Sequence, residues 1–340
     1  MHGSGETPEP TARPRGRRVP RVLGAVASVA VFAVLTACGQ DAPLTTPDGQ
    51  VISTTTTRVA EVNIVNADRD YSRTCLAPTT PDDAATDVSR IVVTDPSLLD
   101  AICALGIGPK VTAVAANGAV PAYLGPQLTS VPVIGATPDA AAVDAADPDV
   151  VLTTPQTSAT AEAFGDARVV TIEPGEGWED RFGSVADALG RSASGSELLA
   201  DFEKQAKRTG RFLDAAHNQI SLVRFTGDSE VIAGTDTFAG QILGLIGVQR
   251  PEPQRSPEST TVTDENFTDA DGDLIYVSFV GDDGLEHGSD VLLSDRWLNM
   301  GAPTWKRVLS VDDEIWYESS GLAAAWLVLN DVKESINGNS

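Results

Sequence analysis

The sequence predicts an α/β protein of two doubly wound lobes joined by a long interlobe helix, behind an export signal and a flexible tether. Three observations carry this. Short β-branched runs alternate with helical spacing in both halves of the chain, and a strand-free stretch, 178–218, separates the halves. The length of 340 residues suits two lobes, at roughly 100 to 200 residues per domain. With 41% hydrophobic residues there is enough apolar side chain for a buried core.

At the front, the polar segment 1–21 carries Arg13, Arg15, Arg17, Arg18 and Arg21. The apolar run 22–35 follows, then Thr36-Ala37-Cys38-Gly39. Basic region, apolar region and small residues before a Cys describe a secretory signal, 1–37, ending in a lipidation site at Cys38. The run is shorter than the span of about 20 residues that crosses a bilayer, although an uncleaved anchor is the alternative. Segment 38–58 is rich in Thr, Pro and Gly and has no apolar period. It reads as a tether with an average reach of ~25 Å. The expected location is the outer face of the cytoplasmic membrane, lipid-anchored.

The first lobe, 59–177, opens with a short edge or hairpin strand at Val59, Val62, Ile64 and Val65. Segment 90–94 is a β-branched run bounded by Asp95-Pro96, as in a buried parallel strand. Leu98, Leu99, Ile102 and Leu105 then give helical spacing up to a stop at Gly106. Strands at 111–115, 131–135, 149–152 and 168–172 and helices at 140–146 and 157–164 continue the alternation. In the link, 178–218, Phe182, Val185 and Leu189 share a face and Gly190 breaks the run. A helix over 194–217 would then reach about 36 Å. The second lobe, 219–340, has strands at 220–226, 230–234, 274–279 and 314–317. Its helices fall at 238–247, 290–300 and 322–336. One 280-residue α/β domain is the competing layout, and the strand-free middle argues against it.

Charge and composition exclude several functions. Lys+Arg 24 against Asp+Glu 48 gives a net charge of -24, which repels nucleic-acid phosphates. Removing the signal takes away five Arg and two Glu, leaving 19 basic and 46 acidic residues, or -27. Three His and three Cys, with no closely spaced pair, build no zinc site, so no cofactor or protein-held metal is expected. The acidic stretches at 269–273 and 282–283 lack the EF-hand spacing and read as solvated turns. No Gly-x-Ser-x-Gly or other nucleophile arrangement appears, so the chain is read as no enzyme. In an exported setting Cys75 and Cys103 most simply pair, with two buried thiols as the alternative.

Six segments in order carry a resemblance over about residues 90–335. They are Arg90-Ile-Val-Val with Leu99-Asp-Ala-Ile-Cys-Ala-Leu-Gly106, Asp147-Pro-Asp-Val-Val-Leu152, Glu173-Pro174 and Ala188-Leu-Gly-Arg191. Phe238-Ala-Gly-Gln-Ile-Leu-Gly-Leu-Ile-Gly247 and the tail from Trp305 to Tyr317 complete the set. The chain resembles ABC-importer substrate-binding proteins with a rigid interlobe helix, a class III periplasmic-binding-protein-like fold. Within that class it is most similar to the Fec-type iron-siderophore lipoproteins of actinobacteria. The resemblance implies a monomer that binds a ferric siderophore or haem between the lobes. It also implies an ABC permease, or another envelope protein, as partner, with little lobe motion.

Loops at strand ends would line the cleft, which selects Asn117, Tyr123, Gln156, Trp178, Arg224, Thr235, Phe238 and Trp297. Trp178 is either laid against a ligand or stapled onto the following helix. Tyr123 is a ligand contact, a haem-iron ligand or a packed surface tyrosine. Arg224 offers a planar fork of donors to chelate oxygens if it faces the cleft, and pairs with a surface acid if it points elsewhere. Phe238 and Trp297, with Phe279, either wall a ligand or fill the core. His287, in a loop-like stretch, is a better haem-ligand candidate than His217, which suits a helix end. Permease docking in such proteins uses a Glu from each lobe. Glu265 holds that position in the second lobe, but Ala141 stands in the first, beside Asp139, so coupling to a permease is expected to be weak or unusual. An interaction or structural lipoprotein with a lost ligand is the alternative function. The mature charge favours a neutral chelate, or haem, over an anionic one.

Overall fold

A computed structural model of the chain describes residues 62–165 and 167–338. The signal, Cys38 and the tether lie outside these residues. The first described strand is β1 (Asn63–Ile64). In the first lobe, β2 (Ile91–Val93), β3 (Val111–Val114), β4 (Val150–Thr153) and β5 (Arg168–Thr171) form a parallel sheet in the order β3-β2-β4-β5. Every residue of β2 and β4 is buried, as continuous apolar strands covered on both faces must be. Around them run α1 (Leu99–Ala104), α2 (Pro126–Thr129), α3 (Ala140–Ala146) and α4 (Ser158–Ala161). The strand expected at 131–135 is reduced to one bridge, Val133 to Val114.

The second lobe supplies β6 (Ile220–Phe225), β7 (Glu230–Ile232), β8 (Thr260–Thr261), β9 (Leu274–Phe279) and β10 (Val308–Ser310). With β1 they form a six-stranded sheet in the order β1-β10-β9-β6-β7-β8. The first strand of the described chain therefore does not belong to the lobe in which its sequence position places it. Asn63 and Ile64 pair in parallel with Leu309 and Ser310. β7 and β8 run antiparallel, which departs from the architecture of the first lobe.

Other expectations also change. The 314–317 segment is a π-helical turn, Glu314–Glu318, entered through Asp312, which accepts from the amides of Ile315 and Trp316. The last strand is instead the short apolar run of β10. The helix expected at 290–300 begins earlier, as α8 (Gly281–Leu292). Ser294 then caps α9 (Asp295–Leu298), and α10 (Gly301–Thr304) follows.

The strand-free link is helical, as expected, in two pieces: α5 (Trp178–Ala188) and α6 (Ser192–Phe212). Gly190 separates them at φ +66, a conformation open to Gly without a Cβ clash. α6 is about 31 Å long at 1.5 Å per residue. It stops at Phe212 because Asp214, at φ +52, turns the chain out of the helix. Helix α7 (Phe238–Ile246) and the terminal α11 (Leu322–Gly338) pack beside it.

Helix α11 also fastens to the first lobe. The buried Asp100 of α1 accepts from the amides of Ala323 and Ala324 at 2.9 Å each, and from the Tyr123 hydroxyl at 2.9 Å. A Cβ on Gly321 would meet the Asp100 carboxylate at 2.1 Å, so only glycine admits this contact. One hydrophobic cluster takes in Ile91 and Leu152 from the first lobe, Leu222 and Tyr276 from the second, and Phe202 and Val332 from the bridging helices. A shared core of this kind resists hinge motion, because opening it would expose close-packed side chains. Cys75 and Cys103 are joined by a disulfide with their Cα atoms 4.5 Å apart. It ties the segment before β2 to α1, and stabilises by ~3 to 4 kcal/mol in the chain-entropy picture.

Candidate functional site in the interlobe cleft

Open parallel sheets bind ligands beyond the carboxyl ends of their strands. In the second lobe that end of β6 carries Arg224, whose strand neighbours Val223 and Phe225 are buried. The side chain is 27% exposed. Its Nε and Nη2 donate to the two oxygens of Asp313 at 2.8 and 2.6 Å, with Glu318 3.6 Å away. The Ser278 hydroxyl of β9 donates to the same carboxylate at 2.8 Å. The guanidinium carbon lies 5.2 Å from the centre of the Tyr317 ring. Hydrogen bonding to Asp313 raises the proton affinity of Arg224 further, so the cation is permanent. Burial, with the charge of Asp313, pushes the Tyr317 phenol well up, so it stays neutral.

This fork-and-ring platform opens on a cavity of about 280 Å³ lined by Arg224, Thr226, Thr237, Phe238, Ser259 and Tyr317. Thr237 is held in place as the cap of α7, accepting from the amide of Gly240. The π-helical turn is what brings Tyr317 beneath Arg224, and so the segment that reads as a strand from sequence supplies half of the site. Sequence reasoning does not select Tyr317 or Asp313. The available signal is the Trp-Tyr pair with the preceding Asp-Asp, which suits a capped turn better than a strand.

At the carboxyl ends of β2 and β4 in the first lobe the side chains are small and hydroxylic, and Thr94, Thr153 and Thr154 are buried. Thr94, Thr153 and Thr157 join Oγ1 to Oγ1 at 2.7 to 3.1 Å, and Thr154 donates to Asp95 at 3.1 Å. Across the floor, Arg181 of α5 donates to Ser97 and, at 3.3 Å, to Ser320. It links the end of β2 to the start of α11.

Of the residues selected from sequence, the structure brings Arg224 and Phe238 together around one cavity. Thr235 lies just before α7, its hydroxyl donating to the Ser256 carbonyl at 3.3 Å. Asn117 and Gln156 are exposed on the loops after β3 and β4. Three aromatic residues are interior, which corrects their reading as ligand contacts. Tyr123 is buried on Asp100. Trp178 is buried with its ring edge-on to Phe202 and Phe238, at 5.8 and 5.9 Å. Trp297 is buried between Phe225 and Phe267. In each case a large apolar ring is stabilised more by the core than by a wet loop.

His287 lies on α8 rather than in a loop, against Phe225, with its Nε2 buried and lacking a partner. His217 is exposed beside Asp214, 2.7 Å away. Among the described residues no group of three His, Cys, Asp or Glu side chains is disposed to hold a metal. Glu265 and Ala141 are both exposed, and Asp139 caps α3 by accepting from the amide of Ala142.

Comparison with known proteins bears on the family and the fold. A probable siderophore-binding lipoprotein of Bacillus subtilis, YfiY, is 31% identical over 169 residues, covering 46% of this chain and 52% of that protein. The chain thus spans about half the length of the curated relative it matches. The FhuD fold-family periplasmic binding protein BSU3320 of Bacillus subtilis superposes with a TM-score of 0.61 at 20% identity, covering 77% of this chain and 96% of that one. Staphylococcus aureus FhuD2 with bound ferrioxamine B gives 0.57 at 17% identity, covering 73% and 98%. These two show the fold. Residues 91–315 match the family described as periplasmic binding protein, which contains binding proteins and not enzymes. That stretch holds both sheets except β1, the whole helical link and Arg224 with its anchor Asp313. This chain belongs to the periplasmic binding protein family.

Proposed function

We propose that the chain is an extracytoplasmic, lipid-anchored protein, without catalytic activity, that binds a ferric siderophore in its interlobe cleft for uptake by an ABC importer. The observation that carries the reading is the Arg224–Tyr317 platform at the mouth of a cavity beyond the carboxyl end of β6. A guanidinium fixed by Asp313 offers its outer edge to the oxygens around a chelated iron, and the cavity's Phe238 and Tyr317 meet the chelator's carbon frame. Asp313 and Glu318 outweigh the charge of Arg224 locally, which supports a neutral or cationic chelate over one rich in carboxylates. The burial of Tyr123 and of the His287 Nε2 takes away the two stronger candidates for a haem-iron ligand, so a siderophore is the better fit than haem.

The test is titration of the full chain with a neutral ferric trihydroxamate and with haem while tryptophan fluorescence is followed. Trp178, whose ring packs on Phe238, is the expected reporter. Saturable quenching by the trihydroxamate, lost in Trp178→Phe with affinity retained, supports the reading; no saturable response to either probe overturns it. For coupling we propose that Glu265 of the second lobe acts without an acidic counterpart at position 141. Glu265→Lys should then reduce uptake and leave chelate affinity unchanged, and normal uptake by this variant would defeat the idea.

A further inference from the structure

The large apolar side chains most exposed among the described residues are Phe212 and Trp305 at 77%, Ile64 at 67% and Leu293 at 63%. All four belong to the end of α6 or to the second sheet and its connections. Phe212 closes α6 just before the chain enters β6, and Leu293 follows α8, which returns from the carboxyl end of β9. Trp305 stands immediately before the entry of β10. β10, β9 and β6 are parallel, so Phe212 and Trp305, each just before a strand entry, lie toward the end of the sheet away from its carboxyl edge. A polar, strongly acidic protein gains nothing from exposing two large aromatic rings toward one end of a sheet, and such exposure marks contact surfaces.

The same end is where the described chain begins. Asn63 and the run Trp305, Lys306, Arg307 line one cavity of about 980 Å³. Its acids are occupied by backbone donors. Asp271 accepts from the amides of Gly301 and Ala302 at 2.6 and 3.0 Å, and Asp273 from that of Gln219 at 2.8 Å. The turn that presents Trp305 is closed by bonds from the Lys306 and Arg307 amides to the carbonyls of Pro303 and Ala302. Lys306 sits at φ +57, a position that this type of helix end usually gives to glycine.

We infer that this end of the second lobe rests on the phospholipid surface, with Trp305 at the headgroup level and Lys306 and Arg307 beside the phosphates. The inference rests on the lipoprotein reading above. A lipid on Cys38 leaves only the stretch up to Val62 between bilayer and fold, with a reach of ~25 Å, and that stretch joins the fold beside the Trp305 cavity. Trp suits the interface because its ring is apolar and its N–H is wet, and Lys or Arg near the surface is attracted to anionic lipid. In this posture the cleft faces away from the bilayer, which suits capture of a chelate. Delivery to a permease then requires the body to lift and turn on its tether.

The test uses the full chain carrying Cys38→Ser, which cannot be acylated, and vesicles of phosphatidylcholine with phosphatidylglycerol. The chain should co-sediment with the vesicles, Trp305→Ser should weaken this about tenfold, as loss of one interfacial aromatic group implies, and Trp305→Tyr should retain most of it. Lack of vesicle binding, or binding unchanged in Trp305→Ser, overturns the inference. The lipoprotein reading fails separately, if the exported wild-type chain shows no acyl mass on Cys38.

Discussion

The strand ends of the two lobes are built from different chemistry. At the strand ends of the first lobe, Thr94, Thr153, Thr154 and Thr157 satisfy one another, and their short side chains leave little with which to reach a ligand. At the strand ends of the second lobe, a long cation, a phenol and a phenyl group surround a cavity. Closed hydroxyl networks fix loop geometry, whereas a guanidinium anchored on one side and free to donate on the other supplies affinity. On the proposed reading, recognition is concentrated in the second lobe, and the first lobe is a wall fixed by Asp100, α11 and the shared core.

Five variants test this contrast. The largest effect is expected from Asp100→Ala, which leaves the amides of Ala323 and Ala324 and the Tyr123 hydroxyl without their acceptor. It should cost about 3 kcal/mol in urea unfolding, and a cost under about 1 kcal/mol would show that the shared core alone holds the lobes together. Arg224→Met should weaken binding of a ferric trihydroxamate by roughly thirtyfold, about 2 kcal/mol, with Arg224→Lys recovering part. Equal affinity in all three proteins would remove the platform from the site.

Thr157→Val should cost about 1 kcal/mol of stability by opening the hydroxyl network, yet change chelate affinity less than about twofold. A large loss of affinity would instead give the first lobe a direct part in recognition. The smallest effect concerns pH. Burial holds the Asp100 carboxyl above its ordinary value of 3.8 against its three donors. A raised folded pKa means that the group's contribution is complete below the unfolded value and is lost as pH rises through the folded one. Asp100→Asn should therefore flatten the stability curve above about pH 4; an unchanged slope would mean that the hydrogen bonds, not burial, set its ionisation.

Much of this is legible along the chain. The strands at 91–93, 111–114, 150–153, 220–225 and 274–279 are runs dominated by apolar and β-branched residues, and such runs have one low-energy use in an α/β protein. Helix α3 and the Gly190 break are likewise local, set by a cap and by a left-handed residue. Arg224 is legible because a lone Arg inside an apolar strand needs a partner or a ligand, and it has an anchoring partner while keeping an outer edge for a ligand.

The roles of the aromatic residues are not legible in the same way. Trp178, Tyr123 and Trp297 follow loop-like sequence, and only packing against Phe202, Asp100 and Phe225 takes them inside. Nor does spacing show that Asn63 and Ile64 cross to the second sheet, because a two-residue edge strand is specified by its neighbour β10 rather than by its own pattern. Periodicity and composition were enough for the parallel α/β class, the helical link and the acidity of the protein, since each is a property of short stretches or of the whole count. Folding in three dimensions chose which side chains meet at the cleft, laid Tyr317 under Arg224, and left Trp305 exposed at the opposite end. Those outcomes depend on contacts between residues far apart in the chain, and no local preference encodes them.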